Sequence, residues 1–215
     1  MLADLPELAE LDINPLLADA DGVIALDARV RLDPAAPAGA DRFAIAPYPS
    51  ELCETFDWKG EAIAVRPIRP EDEAQHRAFL ERLAPADLRL RFFYSRREFP
   101  RSEIARLTQI DYAREMAFVA VGKESGKLLG VVRFIADPDY VRGEYAILVR
   151  SDLKGHGLGW RLMQHLIAYA RAEKLEELYG SVLAENTTML KMARELGFRI
   201  EPEPGDGTVR HVVLE

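Results

Sequence analysis

The stretch Lys154-Gly155-His156-Gly157-Leu158-Gly159 constrains this chain most, because three glycines alternate with other residues directly before an apolar helical pattern. Apolar residues recur near helical spacing after it, which predicts a helix from Gly157 to about Lys174. The apolar run "GEYAILVR" at 143–150 predicts a strand before it. A glycine-rich turn between a strand and a helix can bind a phosphate through exposed backbone N–H groups, serve as a tight turn, or allow close packing.

The spacing of these glycines excludes two common phosphate motifs. A dinucleotide-binding G-x-G-x-x-G would need a glycine at position 160, where the chain has Trp160. A Walker loop would end in Gly-Lys-Ser/Thr, which does not follow here. What remains is a basic residue, Lys154, followed by Gly157 and Gly159. On these residues alone, a phosphate site and a plain turn before a core helix stay equally open.

The apolar patterns in the rest of the chain predict an α+β fold: a mixed, mainly antiparallel sheet flanked by helices. The predicted strands lie at 62–69, 116–122, 128–137, 143–150, 177–184 and 208–215. The predicted helices lie at 70–83, from Pro85 onward, at 102–110, at 157–174 and at 186–196.

The first quarter of the chain differs in charge from the rest. Residues 1–60 hold 4 Lys/Arg and 12 Asp/Glu, so they account for all of the net charge of −8. Residues 9–32 predict a hairpin whose turn contains Asp-Gly, and prolines at 34, 37, 47 and 49 predict a linker. We therefore expect a hairpin appendage at 1–33, a linker at 34–60 and a larger domain at 61–215.

Composition argues against several classes of function. The chain has no run of 18 apolar residues, which argues against a membrane-spanning helix. It has no excess of basic residues, which argues against nucleic-acid binding. Its single cysteine, Cys53, favours a cytoplasmic protein. The four histidines, at 76, 156, 165 and 211, lack the spacing of metal ligands, so we expect no metal.

Two motifs in this order resemble the GNAT acyltransferase superfamily. Lys154, Gly157 and Gly159 resemble its R/Q-x-x-G-x-G/A pyrophosphate loop, with lysine replacing the usual arginine or glutamine. The segment "ENTTMLKMARELGF" resembles its second signature through Asn186, Gly197 and Phe198. The resemblance covers roughly residues 62–215.

A narrower resemblance is to the bacterial Pat-type protein lysine acetyltransferases. The segments "VRPIRPEDE", "RLRFF" and "EYAILVRSDLKGHGLG" resemble their acetyltransferase domain. The segment "AELDINPLLADADGVIALDARVRL" resembles the end of the ATP-grasp domain that precedes it in that family, within a region similar to acyl-CoA synthetases. Residues 1–33 are therefore expected to be a short remnant of that region.

The resemblance implies acetyl-CoA as cosubstrate and a protein lysine as acceptor, with acyl-CoA synthetases as the expected protein partners. It implies that the backbone of Ile147, Leu148 and Val149 pairs with pantetheine and that the Leu148 N–H polarises the thioester carbonyl. The phosphates would lie on Lys154 and on the amides of Gly155, His156, Gly157, Leu158 and Gly159, and Asn186 would bind the pantetheine arm. A side chain at Gly157 or Gly159 should weaken CoA binding before it weakens the fold.

For the general base, the resemblance favours Glu144, on the strand before the glycines. Without it, an exposed edge glutamate would be the simpler interpretation, and Glu115 is the second candidate. Many GNAT enzymes carry a tyrosine as general acid where this chain has Ala193, so we assign no general acid. Two other functions stay open: acetylation of a small amine, and sensing of acyl-CoA without turnover. The arginine-rich segment 89–106 is either solvated surface or a rim for a protein substrate or the CoA 3′-phosphate.

Overall fold

A computed structural model describes residues 2, 5–35, 43, 45–94 and 98–215. The chain divides into two units, Met1–Pro47 and Tyr48–Glu215. Part of the predicted linker, including Pro37, lies outside the described residues, as do Arg96 and Arg97 of the arginine-rich segment.

The described residues of the first unit form four short strands, in two nested antiparallel pairs. They are β1 (Leu8–Ile13), β2 (Leu16–Ala18), β3 (Val23–Ala25) and β4 (Ala28–Leu32). β1 pairs with β4 and β2 pairs with β3, so the predicted hairpin is confirmed. Its turn is held by the Asp19 side chain, which accepts hydrogen bonds from the N–H groups of Asp21 and Gly22 at 2.8 and 3.0 Å.

The second unit is built around one eight-stranded sheet. Its strands are β5 (Glu54–Trp58), β6 (Glu61–Pro67), β7 (Glu115–Gly122), β8 (Leu128–Ala136), β9 (Arg142–Val149), β10 (Glu177–Leu183), β11 (Arg199–Glu203) and β12 (Asp206–Leu214). They lie in the order β11-β12-β10-β9-β8-β7-β6-β5. Only β9 and β10 are parallel, which confirms the mainly antiparallel sheet.

Five helices accompany the described strands of this sheet. They are α1 (Glu73–Glu81), α2 (Pro85–Phe92), α3 (Arg101–Thr108), α4 (Leu158–Ala172) and α5 (Thr187–Glu195). Side chains alternate along β9: Tyr145 and Val149 enter the hydrophobic cluster that contains α4, and Leu148 enters the cluster that contains α1, α2 and α3. The sheet therefore has a buried layer on each face.

The two edge strands differ from the sequence prediction. β5 lies inside the predicted linker at 34–60, yet it pairs with β6 from Glu54 opposite Val65 to Trp58 opposite Glu61. β11 lies outside all of the predicted strands and helices, and it pairs with β12. Both strands bond to a neighbour on one side only, so they need no continuous apolar pattern.

Candidate active site

β9 and β10 start side by side and then separate. Arg142, Gly143 and Glu144 pair with Glu177, Leu178 and Tyr179, and the pairing ends there. β10 continues to pair with β12 as far as Leu183, on its other side. The C-terminal half of β9 therefore borders a cleft, and the backbone groups that it turns toward β10 have no strand partner among the described residues.

The register of β8 and β9 determines which amides of β9 face this cleft. The Arg150 N–H donates to the Leu129 carbonyl at 2.9 Å, and the Asp137 N–H donates to the Arg142 carbonyl at 2.9 Å. The register between these two bonds is unbroken, with Val131 opposite Leu148. Hydrogen-bonded pairs alternate in an antiparallel ladder, so the Leu148 N–H faces β8.

This corrects the expectation for Leu148. Its amide belongs to the ladder with β8, and its side chain is buried on the α1–α3 face. By the same alternation, the N–H groups of Ile147 and Val149 face the cleft. These two amides, rather than that of Leu148, are placed to donate to a ligand that lies along β9.

The loop before α4 keeps its backbone accessible. Gly155 and Gly157 have φ of +75° and +87°, in the left-handed region, and a Cβ at either would meet nothing within 4 Å. No side chain caps α4, and the Arg161 N–H donates to the Gly157 carbonyl at 3.1 Å. The N–H groups ahead of Arg161 in the first turn are therefore left for an anion, as a diphosphate requires.

The other loop residues have structural roles as well. The His156 carbonyl accepts a hydrogen bond from the Trp58 indole N–H at 2.9 Å, which ties the loop to β5. The Leu158 side chain is buried, so only its backbone faces a ligand. A Cβ on Gly159 would lie 3.5 Å from Val149 Cγ2, an ordinary contact inside the protein.

Lys154 already has a carboxylate partner. Its Nζ pairs with Oδ1 of Asp87 on α2, and Asp87 also accepts a hydrogen bond from the Ser151 hydroxyl at 2.5 Å. Ser151 in turn accepts from the Ala84 N–H at 2.8 Å. This network joins α2 to the loop. The Lys154 charge, which the sequence analysis assigned to phosphate binding, is therefore paired with the Asp87 carboxylate.

Asn186 lies at the N-terminus of α5, directly after β10. Its Oδ1 caps the helix by accepting the Met189 N–H at 3.2 Å. The side-chain NH₂ group remains as a donor for a ligand in the cleft. The preceding residue, Glu185, pairs with Arg89 of α2.

Glu144 is exposed and lies at the point where β9 and β10 part. It shares a face of β9 with Ala146 and Leu148, as predicted from the two-residue period. Burial lowers the pKa of Arg91, and the Glu144 carboxylate opposes this. Burial raises the pKa of Tyr179, and the same carboxylate adds to it. Glu144 therefore lies near both a guanidinium and a phenol.

The sequence analysis did not predict two features of this site. The Tyr145 hydroxyl is buried without a hydrogen-bond partner among the described residues, and burial raises its pKa. A cavity of about 30 Å³ lies on the Glu144 face of the sheet, and its polar walls are His76, Arg91 and Arg133. The one signal for the cavity in the sequence is Arg133, a charge inside an apolar strand.

The described residues Arg89, Arg91 and Arg101 of the arginine-rich segment have different environments. Arg89 and Arg101 pair with Glu185 and Glu73, while Arg91 lines the cavity. Glu115, the second candidate for the base, is half-buried at the start of β7.

Among the described residues, no group of three or more metal-binding side chains occurs. None of the described helices is both long and apolar enough to cross a membrane.

Comparison with known proteins agrees with this geometry. The acetyltransferase (GNAT) family model matches residues 82–198. An acetyltransferase of Pseudomonas aeruginosa is 35% identical over 151 residues, which cover 69% of this chain and 81% of that protein. The chain belongs to the GNAT acetyltransferase family. Acetyl-CoA is accordingly its cosubstrate, and the cleft and glycine loop fit a pantetheine arm and a diphosphate.

Other relatives of this GNAT chain are more distant. Acetyltransferase Pat of Mycolicibacterium smegmatis is 28% identical over 139 residues, 64% of this chain and 41% of that protein. An L-methionine sulfoximine/L-methionine sulfone acetyltransferase of P. aeruginosa is 39% identical over 57 residues, 26% of this chain and 33% of that protein. An ATP-grasp domain model matches residues 1–32.

Solved structures share the fold. The GNAT domain of S. lividans PAT superposes with a TM-score of 0.71 at 22% identity, over 78% of this chain and 99% of that one. A ribosomal L7/L12 α-N-protein acetyltransferase in complex with coenzyme A superposes with a TM-score of 0.61 at 14% identity, over 75% of this chain and 97% of that one.

Proposed function

We propose that this GNAT enzyme acetylates protein lysines by direct transfer from acetyl-CoA within a ternary complex, with Glu144 as the general base. The observation that carries the proposal is the position of Glu144 as the last residue of β9 paired with β10. A carboxylate there borders both the cleft for the thioester and the open face from which an amine can approach.

The chemistry demands a base at this point. A lysine ammonium has a pKa of about 10.4, so it must lose a proton before it can attack a thioester. Glu144 would take this proton, directly or through one water, which contributes roughly 10²- to 10⁴-fold to the rate. The N–H groups of Ile147 and Val149 would donate to cosubstrate oxygens in the cleft.

The remaining groups hold the cosubstrate. The loop amides from Gly155 to Gly159 would bind the diphosphate, and the Asn186 NH₂ group would bind the pantetheine arm. Acetyl-CoA supplies the activated acetyl thioester. We assign no side chain as general acid, so the thiolate takes its proton from water.

Similarity to two proteins named Pat supports a protein acceptor, and acyl-CoA synthetases are our proposed targets. We also propose residues 1–33 as an ATP-grasp remnant and 61–215 as the acetyltransferase domain. The need for acetyl-CoA and the single cysteine support a cytoplasmic location.

A small amine that carries a carboxylate is the second candidate acceptor. The observation that favours it is the 57-residue similarity to the methionine sulfoximine acetyltransferase.

The test compares Glu144→Gln with Glu115→Gln. Glu144→Gln should leave acetyl-CoA affinity unchanged in calorimetry and reduce acetyl transfer at pH 8 by at least about tenfold, because only the base is lost. Glu115→Gln should retain transfer. Unchanged transfer in Glu144→Gln would disprove the base assignment, and a loss confined to Glu115→Gln would make Glu115 the base.

Acceptor identity needs a separate experiment. The chain is incubated with labelled acetyl-CoA and a cell lysate, and labelled proteins are identified by mass spectrometry. Label on lysines of acyl-CoA synthetases is the expected result. Label on small amines alone would support the second candidate.

A further inference from the structure

The cavity beside β9 holds an unusual concentration of buried donors. It lies between α1, α2 and α3 on one side and β8 and β9 on the other, and we call it the Arg91–Arg133 cavity. Its polar walls are His76, Arg91 and Arg133, and Ala146 and Leu148 of β9 are among its apolar walls. Arg91 and Ala146 are only partly buried, so the cavity reaches the surface at the middle of β9.

The two guanidinium groups of this cavity have no ion-pair partner among the described residues. Arg133 is 7% exposed and donates one hydrogen bond, to the Leu107 carbonyl at 2.6 Å. Neither Arg133 nor Arg91 forms an ion pair with any described residue, and Arg91 lies over the Phe92 ring at 5.1 Å. A buried charge without an ionic partner is costly, so the buried Arg133 guanidinium, with the half-buried Arg91 beside it, makes this cavity favourable for an anion.

His76 adds an unsatisfied polar atom. It is 2% exposed, and its Nδ1 has no hydrogen-bond partner among the described residues. Burial lowers its pKa to about 4, so the ring is neutral near pH 7 and Nδ1 can carry the hydrogen that an anion accepts.

Three carboxylates act on these groups without forming an ion pair with them among the described residues. Glu144 opposes the fall in the pKa of Arg91 that burial causes. Glu115 opposes the fall in the pKa of Arg133, which burial lowers to about 10, and Arg91 and Arg106 reinforce that fall. Asp72 opposes the fall in the pKa of His76. Asp72 itself pairs with Arg66 at 2.7 Å, so its carboxylate is already engaged.

We propose that the Arg91–Arg133 cavity binds a carboxylate of the acceptor substrate while the acceptor amine lies at Glu144. This rests on the proposed acetyltransferase function and names its substrate class. Guanidinium groups match the planar, two-oxygen geometry of a carboxylate. The cavity volume is about 30 Å³, so the cavity admits a head group such as a carboxylate rather than a whole side chain.

The strand geometry sets the distance between the two groups of the acceptor. Ala146 lines the cavity, and Glu144 is two residues away on the same face of β9, a rise of about 7 Å. An acidic residue beside the target lysine of a protein can span this distance. The carboxylate of a free amino acid offers the same chemistry, and the experiment separates these two sources.

The experiment measures acetylation of matched acceptors by the full chain. The peptide arm uses lysine peptides that differ only by Glu or Gln beside the lysine. The small-molecule arm compares free amino acids with their amides. The wild-type enzyme should prefer the carboxylate member of the relevant arm by about tenfold in kcat/KM, mainly through KM, as charge-assisted hydrogen bonds imply.

Arg91→Gln should abolish this preference and keep the acetyl-CoA affinity. Arg91→Lys should restore part of the preference, and Arg171→Gln, at the exposed end of α4, should retain all of it. Arg91 is half-buried, so its replacement is less disruptive than that of Arg133, and circular dichroism checks the fold. A structural role alone would not change the discrimination between Glu and Gln.

A wild-type enzyme that acetylates both members of each pair equally well would overturn the proposal, and the cavity would then be a water site. If no acceptor is acetylated, the proposed function fails. Calorimetry of peptide binding then tests whether the cavity binds a carboxylate. In that case the Glu peptide should still bind the acetyl-CoA complex about tenfold more tightly than the Gln peptide, but not in Arg91→Gln. Equal binding of the two peptides would overturn the proposal as well.

Discussion

Replacing Gly157 by alanine should damage the fold and CoA binding together. Gly157 has φ of +87° and ψ of −8°, and its Cβ would meet nothing within 4 Å. The cost is therefore backbone strain rather than a clash, about 1–2 kcal/mol for an L-residue in the left-handed region. For a chain of this size, this predicts a fall in Tm of about 2–8 °C.

The effect on CoA follows from the same backbone angle. Relief of the strain would turn the peptide units that aim the first N–H groups of α4 at the proposed diphosphate site. Loss of one hydrogen bond to a charged group costs about 1.5–3 kcal/mol, so acetyl-CoA affinity should fall by about tenfold or more. Calorimetry with acetyl-CoA and thermal unfolding of the free protein measure the two effects separately.

Gly159→Ala is the matched control, two residues along the same turn. Gly159 does not have a left-handed φ, and its Cβ would make only ordinary contact with Val149. Alanine there should stabilise the helix by up to about 1 kcal/mol, and acetyl-CoA affinity should be retained. This departs from the sequence expectation that a side chain at either glycine weakens CoA binding before it weakens the fold. Equal losses of affinity in the two variants, or none in Gly157→Ala, would refute the reasoning.

Three further predictions concern pH, charge and the first unit. Burial lowers the pKa of His76 from 6.5 to about 4, so as the pH falls the unfolded chain takes up this proton before the folded chain does. The free energy of unfolding that is present above about pH 6.5 is therefore partly lost between pH 6.5 and pH 4. Urea unfolding should show a loss of about 2 kcal/mol from pH 7 to pH 5 that His76→Gln lacks; equal pH dependence would contradict it. Asp87→Asn should free Lys154 and tighten acetyl-CoA binding in calorimetry several-fold at low salt, less at high salt, whereas unchanged affinity would mean that Lys154 does not reach the phosphates. Deletion of residues 1–47 should leave kcat/KM unchanged, because all candidate site residues lie in Tyr48–Glu215, and a loss of activity would show that the first unit contributes.

The central strands and helices could be predicted because each buries an apolar face, and the spacing of its apolar residues can be read within the element itself. The two missed strands are those at the edges of the sheet. β11 contains Pro202 and acidic residues, and β5 contains mostly exposed ones. An edge strand needs partners on one side only and tolerates proline, so its sequence resembles that of a loop.

The same distinction applies to the site. The glycine loop could be predicted because a left-handed turn and a helix start are properties of a few consecutive residues. The cavity could not, since His76, Arg91 and Arg133 come from α1, α2 and β8 and meet only after the sheet forms. A charge within the apolar run of β8 indicated a special environment for Arg133, but not its neighbours.

The error at Leu148 has a different cause. Side chains and backbone N–H groups of a strand both alternate with a period of two, so a sequence can show which side chains share a face. Which edge an N–H faces depends also on the strand that pairs there, and here the bond from Arg150 to Leu129 decides it. Glu144 therefore has its N–H in the ladder with β8, whereas Ile147 and Val149 present theirs to the cleft. Since the proposed base and the proposed amide donors come from alternate residues, replacing the Glu144 side chain should remove the carboxylate without disturbing the donors. This is why we expect Glu144→Gln to separate acetyl transfer from acetyl-CoA binding.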